Sequence, residues 1–256
     1  MLTGSRIFWV SLSLLQAPIL ALAQMEVLWS SKTSFSVQEL TSRKIPEERF
    51  HEMDFLPYFG NKPKTLDRQV EDLHFISSCE KTFGNRVEAS LFFSQMAWDY
   101  LSEGEKALAT QRFNLAWMLD AHNADAWWGL GVIEFQSANL PSAIQSLRKA
   151  AQLLPHHATL QTDLATLLLE KFQEDGEVKW LLEARSILEK TVQEHPEFVF
   201  GYMQLASAHL YSGDLQKAWD TFHQGHARQP QEIDLQILEK LLQHSPDPLN
   251  IFSLRN

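Results

Sequence analysis

Ten histidines and a single cysteine, Cys79, are the side chains here best suited to hold a metal or serve as base or nucleophile. His223 and His226 are three apart in a helical pattern and could share a face, while the pair His156-His157 directly follows Pro155. A zinc site wants a third and a fourth ligand at defined geometry, and the sequence supplies neither. These histidines read as solvated turn and helix-surface residues. Cys79 has no partner base to activate it as a nucleophile, so it reads as a small buried apolar residue. The chain has no glycine-rich phosphate loop, no Gly-x-Ser-x-Gly, no His-Glu-x-x-His and no cysteine pair. No catalytic residue, cofactor or metal ligand is therefore assigned.

What the spacing does organise is a scaffold. Ala109, Ala143, Ala184 and Ala218 lie 34, 41 and 34 residues apart. Phe113, Leu147, Leu188 and Phe222 follow them by four residues, and Ala121, Pro155, Pro196 and Pro230 by twelve. Upstream, Phe93, Trp127 and Tyr202 form an aromatic column, followed by Met96, Leu130, Leu164 and Leu205, and then by the small residues Ala97, Gly131, Ala165 and Ala206. Apolar positions three and four apart place one stripe on each helix, and a pair of such helices buries its stripes only by stacking on neighbours. The small columns let paired helices approach, and each proline ends a second helix by pushing the preceding residue out of the α region. A larger residue at Gly131 or Ala143 should force the pair apart. Turn chemistry separates the helices of a pair at Ser102-Glu-Gly104, Ser137-Ala-Asn139 and Ser212-Gly-Asp214. The third unit is longer by seven residues, 41 minus 34, and Gln173 to Lys179 places the excess at its internal turn. That unit also carries Gln161 where the others have an aromatic, and Thr191 at a small position.

These columns resemble the tetratricopeptide repeat (TPR) over residues 90–232, as four units: 90–123, 124–157, 158–198 and 199–232. The resemblance implies an all-α, right-handed α-solenoid of about four TPR helix pairs. Residues 64–89 supply an N-terminal packing helix, with Val70, Leu73, Phe75 and Ile76, and residues 233–256 a capping helix and tail. It also implies a concave groove lined by the first helix of each pair. On the matching positions the partner-binding residues are Trp98, Leu101, Asp125, Trp128, Val132, Phe135, Thr162, Thr166, Met203 and Ser207. Trp98 and Trp128 are the expected anchors, since exposed aromatics bury large area at low entropic cost; the alternative is that they pack against a neighbouring helix or beneath the N-terminal arm. The lysines and asparagines with which chaperone-binding TPR domains clamp a terminal carboxylate are missing: Ser94, Trp98, Gly129, Thr159 and Asp163 stand there instead.

The N-terminus is organised differently. Arg6, the apolar stretch from Ile7 to Leu22, and Ala21-Leu-Ala23 follow the order of a secretory signal peptide over residues 1–23, with cleavage expected after Ala23. Removal takes away only Arg6 among charged residues and moves the formal charge from -10 to -11. No stable membrane insertion is expected after cleavage. Residues 24–63 read as an irregular arm partly pinned by the aromatics of Phe55-Leu-Pro-Tyr-Phe-Gly60, which could fill the groove. The chain from Phe55 through Gly131 is similar to exported bacterial TPR proteins, which implies a periplasmic or secreted address. Charges of both signs are interspersed without a basic patch, so nucleic acid is not an expected partner. The expected function is an exported scaffold binding a peptide segment of another cell-envelope protein. The competing expectation is an envelope enzyme or metal-binding factor built from the arm, the inserted loop and the histidines; self-assembly through solenoid ends or Cys79 is a third.

Overall fold

The computed structural model describes residues 51–252. The signal-peptide reading and the arm up to residue 50 lie outside them. Among the described residues every regular element is helical, and no helix is long and apolar enough to cross a membrane. Two compact units meet within one helix, the first running to Ile133 and the second from Glu134.

The first unit begins with two 3-10 turns, η1 (Glu52–Phe55) and η2 (Pro57–Asn61), followed by helices α1 (Leu66–Phe83), α2 (Arg86–Ser102), α3 (Lys106–Leu119) and the larger part of α4 (Ala124–Gln136). Local chemistry sets the boundaries. Thr65 Oγ1 accepts the Arg68 N–H at the start of α1, and Asn85 Oδ1 accepts that of Glu88 at the start of α2. Between them Gly84 turns the chain at φ 88°, a conformation that only glycine adopts without strain. The packing helix thus stops at Phe83, and the first repeat helix starts at Arg86, four residues before the expected Ser90. Ile76, Cys79, Phe83, Phe92, Phe93, Leu115 and Leu119 form this unit's core. Cys79 is fully buried there, out of reach of a disulfide to another chain.

The second unit contains α5 (Leu140–Leu153), α6 (Ala158–Asp175), α7 (Val178–Glu194), α8 (Val199–Tyr211), α9 (Leu215–Arg228) and α10 (Leu235–His244). The helices α5, α7 and α9 each end two residues before Pro155, Pro196 and Pro230, and the residue preceding each proline has left the α region, with φ between -127° and -141° and ψ between 68° and 89°. The alanines of the small columns, Ala97, Ala109, Ala143, Ala165, Ala184, Ala206 and Ala218, are all fully buried. α10 covers the last pair, with Ile237 and Leu241 in the core formed by Val199, Met203, Trp219 and Phe222.

The inserted residues of the third repeat are not a loop. Helix α6 has 18 residues where α8 has 13, and α7 has 17 where α9 has 14. The eight residues gained, less one lost from the turn, account for the insertion. Only Gly176 and Glu177 separate α6 from α7, and Gly176 takes φ 74°. Lys171 pairs with Glu174 and Asp175 across the added turn of α6, and Trp180 Nε1 donates to Asp175 Oδ2 at 3.0 Å. Gln161, the residue in place of the aromatic, donates to the carbonyls of Ala151 and Leu154 and so satisfies the open end of α5.

Candidate functional site

The described part of the arm docks on α3, the second helix of the first pair, and not on the first-helix face. Asn114, fully buried in α3, holds it: its Nδ2 donates to the carbonyls of Asp54 (2.9 Å) and Leu56 (2.8 Å), and its Oδ1 accepts the Tyr58 N–H at 2.8 Å. Tyr58 then packs against Trp117 and Trp127 at 5.4 and 5.1 Å between ring centroids. Tyr58, Phe59 and Asn61 all have positive φ, near 53–55°. Each such residue costs about 1 kcal/mol or more, which burial of both rings and the Asn114 clamp offset. Arg68 adds an ionic tie, its guanidinium reaching Asp54 at 2.8 Å and Asp72 at 3.1 Å, while Lys64 bonds Asp72 at 2.6 Å and lies over the Phe59 ring.

Replacing Asn114 by alanine leaves two carbonyls and one N–H of the arm without their partner, a loss of about 2–4 kcal/mol at the usual worth of such bonds. Trypsin is expected to cut the Asn114→Ala chain after Lys64 at least tenfold faster than the parent while the repeats stay helical. Equal cleavage rates would show that the aromatics and Arg68 hold the arm without Asn114.

On the first-helix side the expected binding row divides by depth. Leu101, Val132, Phe135 and Thr166 are half-buried. Trp98 (7% exposed), Asp125 (8%), Trp128 (1%), Thr162 (0%), Met203 (1%) and Ser207 (4%) are buried. Trp98 and Trp128 are therefore not exposed anchors. They meet each other edge to face at 5.3 Å, and Trp98 meets Phe113 at 5.0 Å, so they fill the space between helices as the alternative reading held. Met203 likewise belongs to the core of the second unit, where it meets Gly225. Length does not decide depth in this row, since the short Thr162 and Ser207 are as buried as the tryptophans while Phe135 is half-buried; the packing of neighbouring helices does.

The unusual member of the row is Asp125, in the first turn of α4. Burial pushes its carboxyl up to about 6, and the Trp98 side chain facing it lowers it only in part. The polar groups beside it are committed elsewhere. Asn123 Nδ2 donates to Ser90 Oγ (2.8 Å) and Ser94 Oγ (3.2 Å), those hydroxyls donate to the carbonyls of Ala116 and Leu91, and Asn123 Oδ1 accepts the Asp125 N–H.

The histidines do not converge. Among the described residues no group of three His, Cys, Asp or Glu side chains is placed to hold a metal. His223 stacks between Trp219 and Phe252 and pairs with Asp247 at 2.9 Å. Burial would raise the Asp247 carboxyl, but the N–H groups of Phe252 and Leu249, with His223, bring it below the ordinary aspartate value. His195 Nε2 bonds the His156 carbonyl at 2.8 Å, and His156 meets Glu194. These contacts tie down the C-terminal segment and an inter-repeat turn. Asn114, Asp54 and Arg68, which hold the arm in place, are not singled out by any spacing in the sequence; only the aromatic cluster of the arm pointed to a docked segment.

No protein-family model matches the chain. A curated relative, human "Protein O-mannosyl-transferase TMTC3", is 31% identical over 114 residues, which is 41% of this chain and 12% of that protein's length. The chain thus spans only a small part of that relative. Among solved structures, Pseudomonas aeruginosa pilF is similar with a TM-score of 0.53 at 21% identity, over 62% of this chain and 68% of that one. YrrB, titled "a TPR protein with an unusual peptide-binding site", is similar over 68% of this chain and 94% of that one, at 18% identity with a TM-score of 0.47.

Proposed function

We propose that this tetratricopeptide-repeat protein is an exported scaffold that binds a segment of another cell-envelope protein along its first-helix face, and that it is not an enzyme. The observation that carries the reading is the division of labour between faces in the first unit. The arm closes the α3 side through Asn114, whereas on α2 and α4 the apolar Leu101 and Val132 are only half-buried, in one row with buried Trp98, Asp125 and Trp128. A rigid floor under a shallow apolar rim is a binding geometry with little to reorganise. Export is supported by the sequence order of Arg6, the apolar stretch and Ala21-Leu-Ala23. The transferase name of the human relative belongs to a protein of which this chain matches 12%, and it is not carried over.

Because Trp98 and Trp128 are too deep to remove without loosening the fold, the test places a photo-crosslinking residue at Leu101 or at Val132, with exposed Gln145 as control. One partner is expected to be captured from both positions in cells and not from Gln145, and the N-terminal peptide of the crosslinked scaffold itself is expected to begin at Gln24. Capture from Gln145 alone would sink the first-helix reading, and an N-terminus at Met1 would sink export by cleavage.

A further inference from the structure

We infer that Asp125, with Trp98 and Trp128 beside it, receives the positively charged end of one lysine or arginine side chain from the bound segment. The inference rests on the first-helix reading and names the chemistry of its occupant. Asp125 is more than nine-tenths buried, and among the described residues no lysine, arginine or histidine acts on its carboxylate. Its neutral polar neighbours cannot serve it either, because Ser90, Ser94 and Asn123 close a network among themselves and the backbone. The Trp98 indole N–H makes no close hydrogen bond and faces the carboxylate at longer range. A buried carboxylate without a cation is a standing cost, and such groups are kept where something outside completes them.

The surroundings fit a cation in a second, independent way. Trp98 and Trp128 meet edge to face, at 72° with centroids 5.3 Å apart, so the carboxylate stands among neutral aromatic rings with no competing cation beside it. Folding has already desolvated the anion, so an incoming side chain bears only its own desolvation and gains a low-dielectric ion pair. The small exposed area of Asp125 and Trp98, 8% and 7%, suits the tip of one side chain. Leu101 and Val132, at the rim, would hold the apolar stem of the same side chain or its neighbours.

The test follows the tryptophan indole N–H signals of the full chain at pH 7.5 during titration with Nα-acetyl-lysine amide, Nα-acetyl-arginine amide and, as the neutral isostere, Nα-acetyl-citrulline amide. A saturable shift of the Trp98 signal is expected with a cationic amide, at least fivefold weaker in an Asp125→Asn chain of unchanged helicity, and absent with citrulline; the better of the two cations identifies the side chain. Equal response to citrulline, equal binding by Asp125→Asn, or no response to either cation would overturn the inference. If the cations fail while Leu101 and Val132 still crosslink a partner, the scaffold reading stands and only the cation receptor is lost. Failure of both removes both.

Discussion

Replacing Asp125 by asparagine is expected to raise the melting temperature by about 5 °C at pH 7.5, with the gain shrinking to nothing as the pH falls towards 4. The gap between about 6 in the folded chain and 3.8, the ordinary aspartate value, corresponds to about 3 kcal/mol. Between those two values the native state holds a proton that the unfolded chain has released, so stability falls as the pH rises. Above pH 6 the full cost of a buried anion is present, and below 3.8 both states are protonated and the cost is gone. Asparagine never bears it. The amide forgoes the favourable placement of a carboxylate in the first turn of α4, worth up to about 1 kcal/mol, which leaves about 2 kcal/mol of net gain. Thermal melts of both chains from pH 4 to 8 decide the matter: a gain of the same size at every pH, or no gain at 7.5, would mean that the carboxylate is not buried as an anion. A stabilising change that removes cation binding is the relation expected of a group kept for function at the expense of the fold.

The repeat was legible because several columns of the sequence had to agree for helices to stack, and small residues, prolines and apolar stripes each answer to local rules. The prolines ended their helices through the residue before them, and the alanine columns became fully buried contacts. Depth was not legible. Spacing fixes the row on which Trp98, Trp128 and Met203 lie, but the neighbouring helices packed over that row decide which of its atoms end at the surface and which in the core, and short Thr162 and Ser207 are covered as fully as the tryptophans. The insertion misled for a related reason: counting shows that seven residues are added, while only the position of Gly176, the one residue free to turn at φ 74°, shows that Gln173 to Asp175 continue the helix before it. Asn114 carried no signal at all. Its partners are backbone groups 56 to 60 residues away, and no periodic pattern encodes a bond across that distance.

Gly129 is where packing and binding chemistry meet, and Gly129→Ala is expected to destabilise the chain by about 2–3 kcal/mol. A Cβ at this position would stand 2.0 Å from Phe113 Cζ and 2.3 Å from both Cε atoms, closer than any real contact. In an open helix the same change would stabilise by about 1 kcal/mol, since alanine is the better helix former, so the sign itself tests the packing. Phe113 has nowhere to retreat: it is fully buried and its ring is edge-on to Trp98, which is edge-on in turn to Trp128. Pushing the ring aside moves the indole that faces Asp125, so the variant should also lose the Trp98 response to a cationic amide. Phe113→Leu removes the offending ring atoms, and the double variant Gly129→Ala, Phe113→Leu is expected to be at least 1 kcal/mol more stable than the sum of the single changes predicts. Chemical denaturation of the four chains measures that coupling. Additive losses would place the strain elsewhere in α4, whereas positive coupling means that the glycine is there to let an aromatic ring from α3 reach the α4 backbone and set the floor on which Trp98 and Asp125 rest.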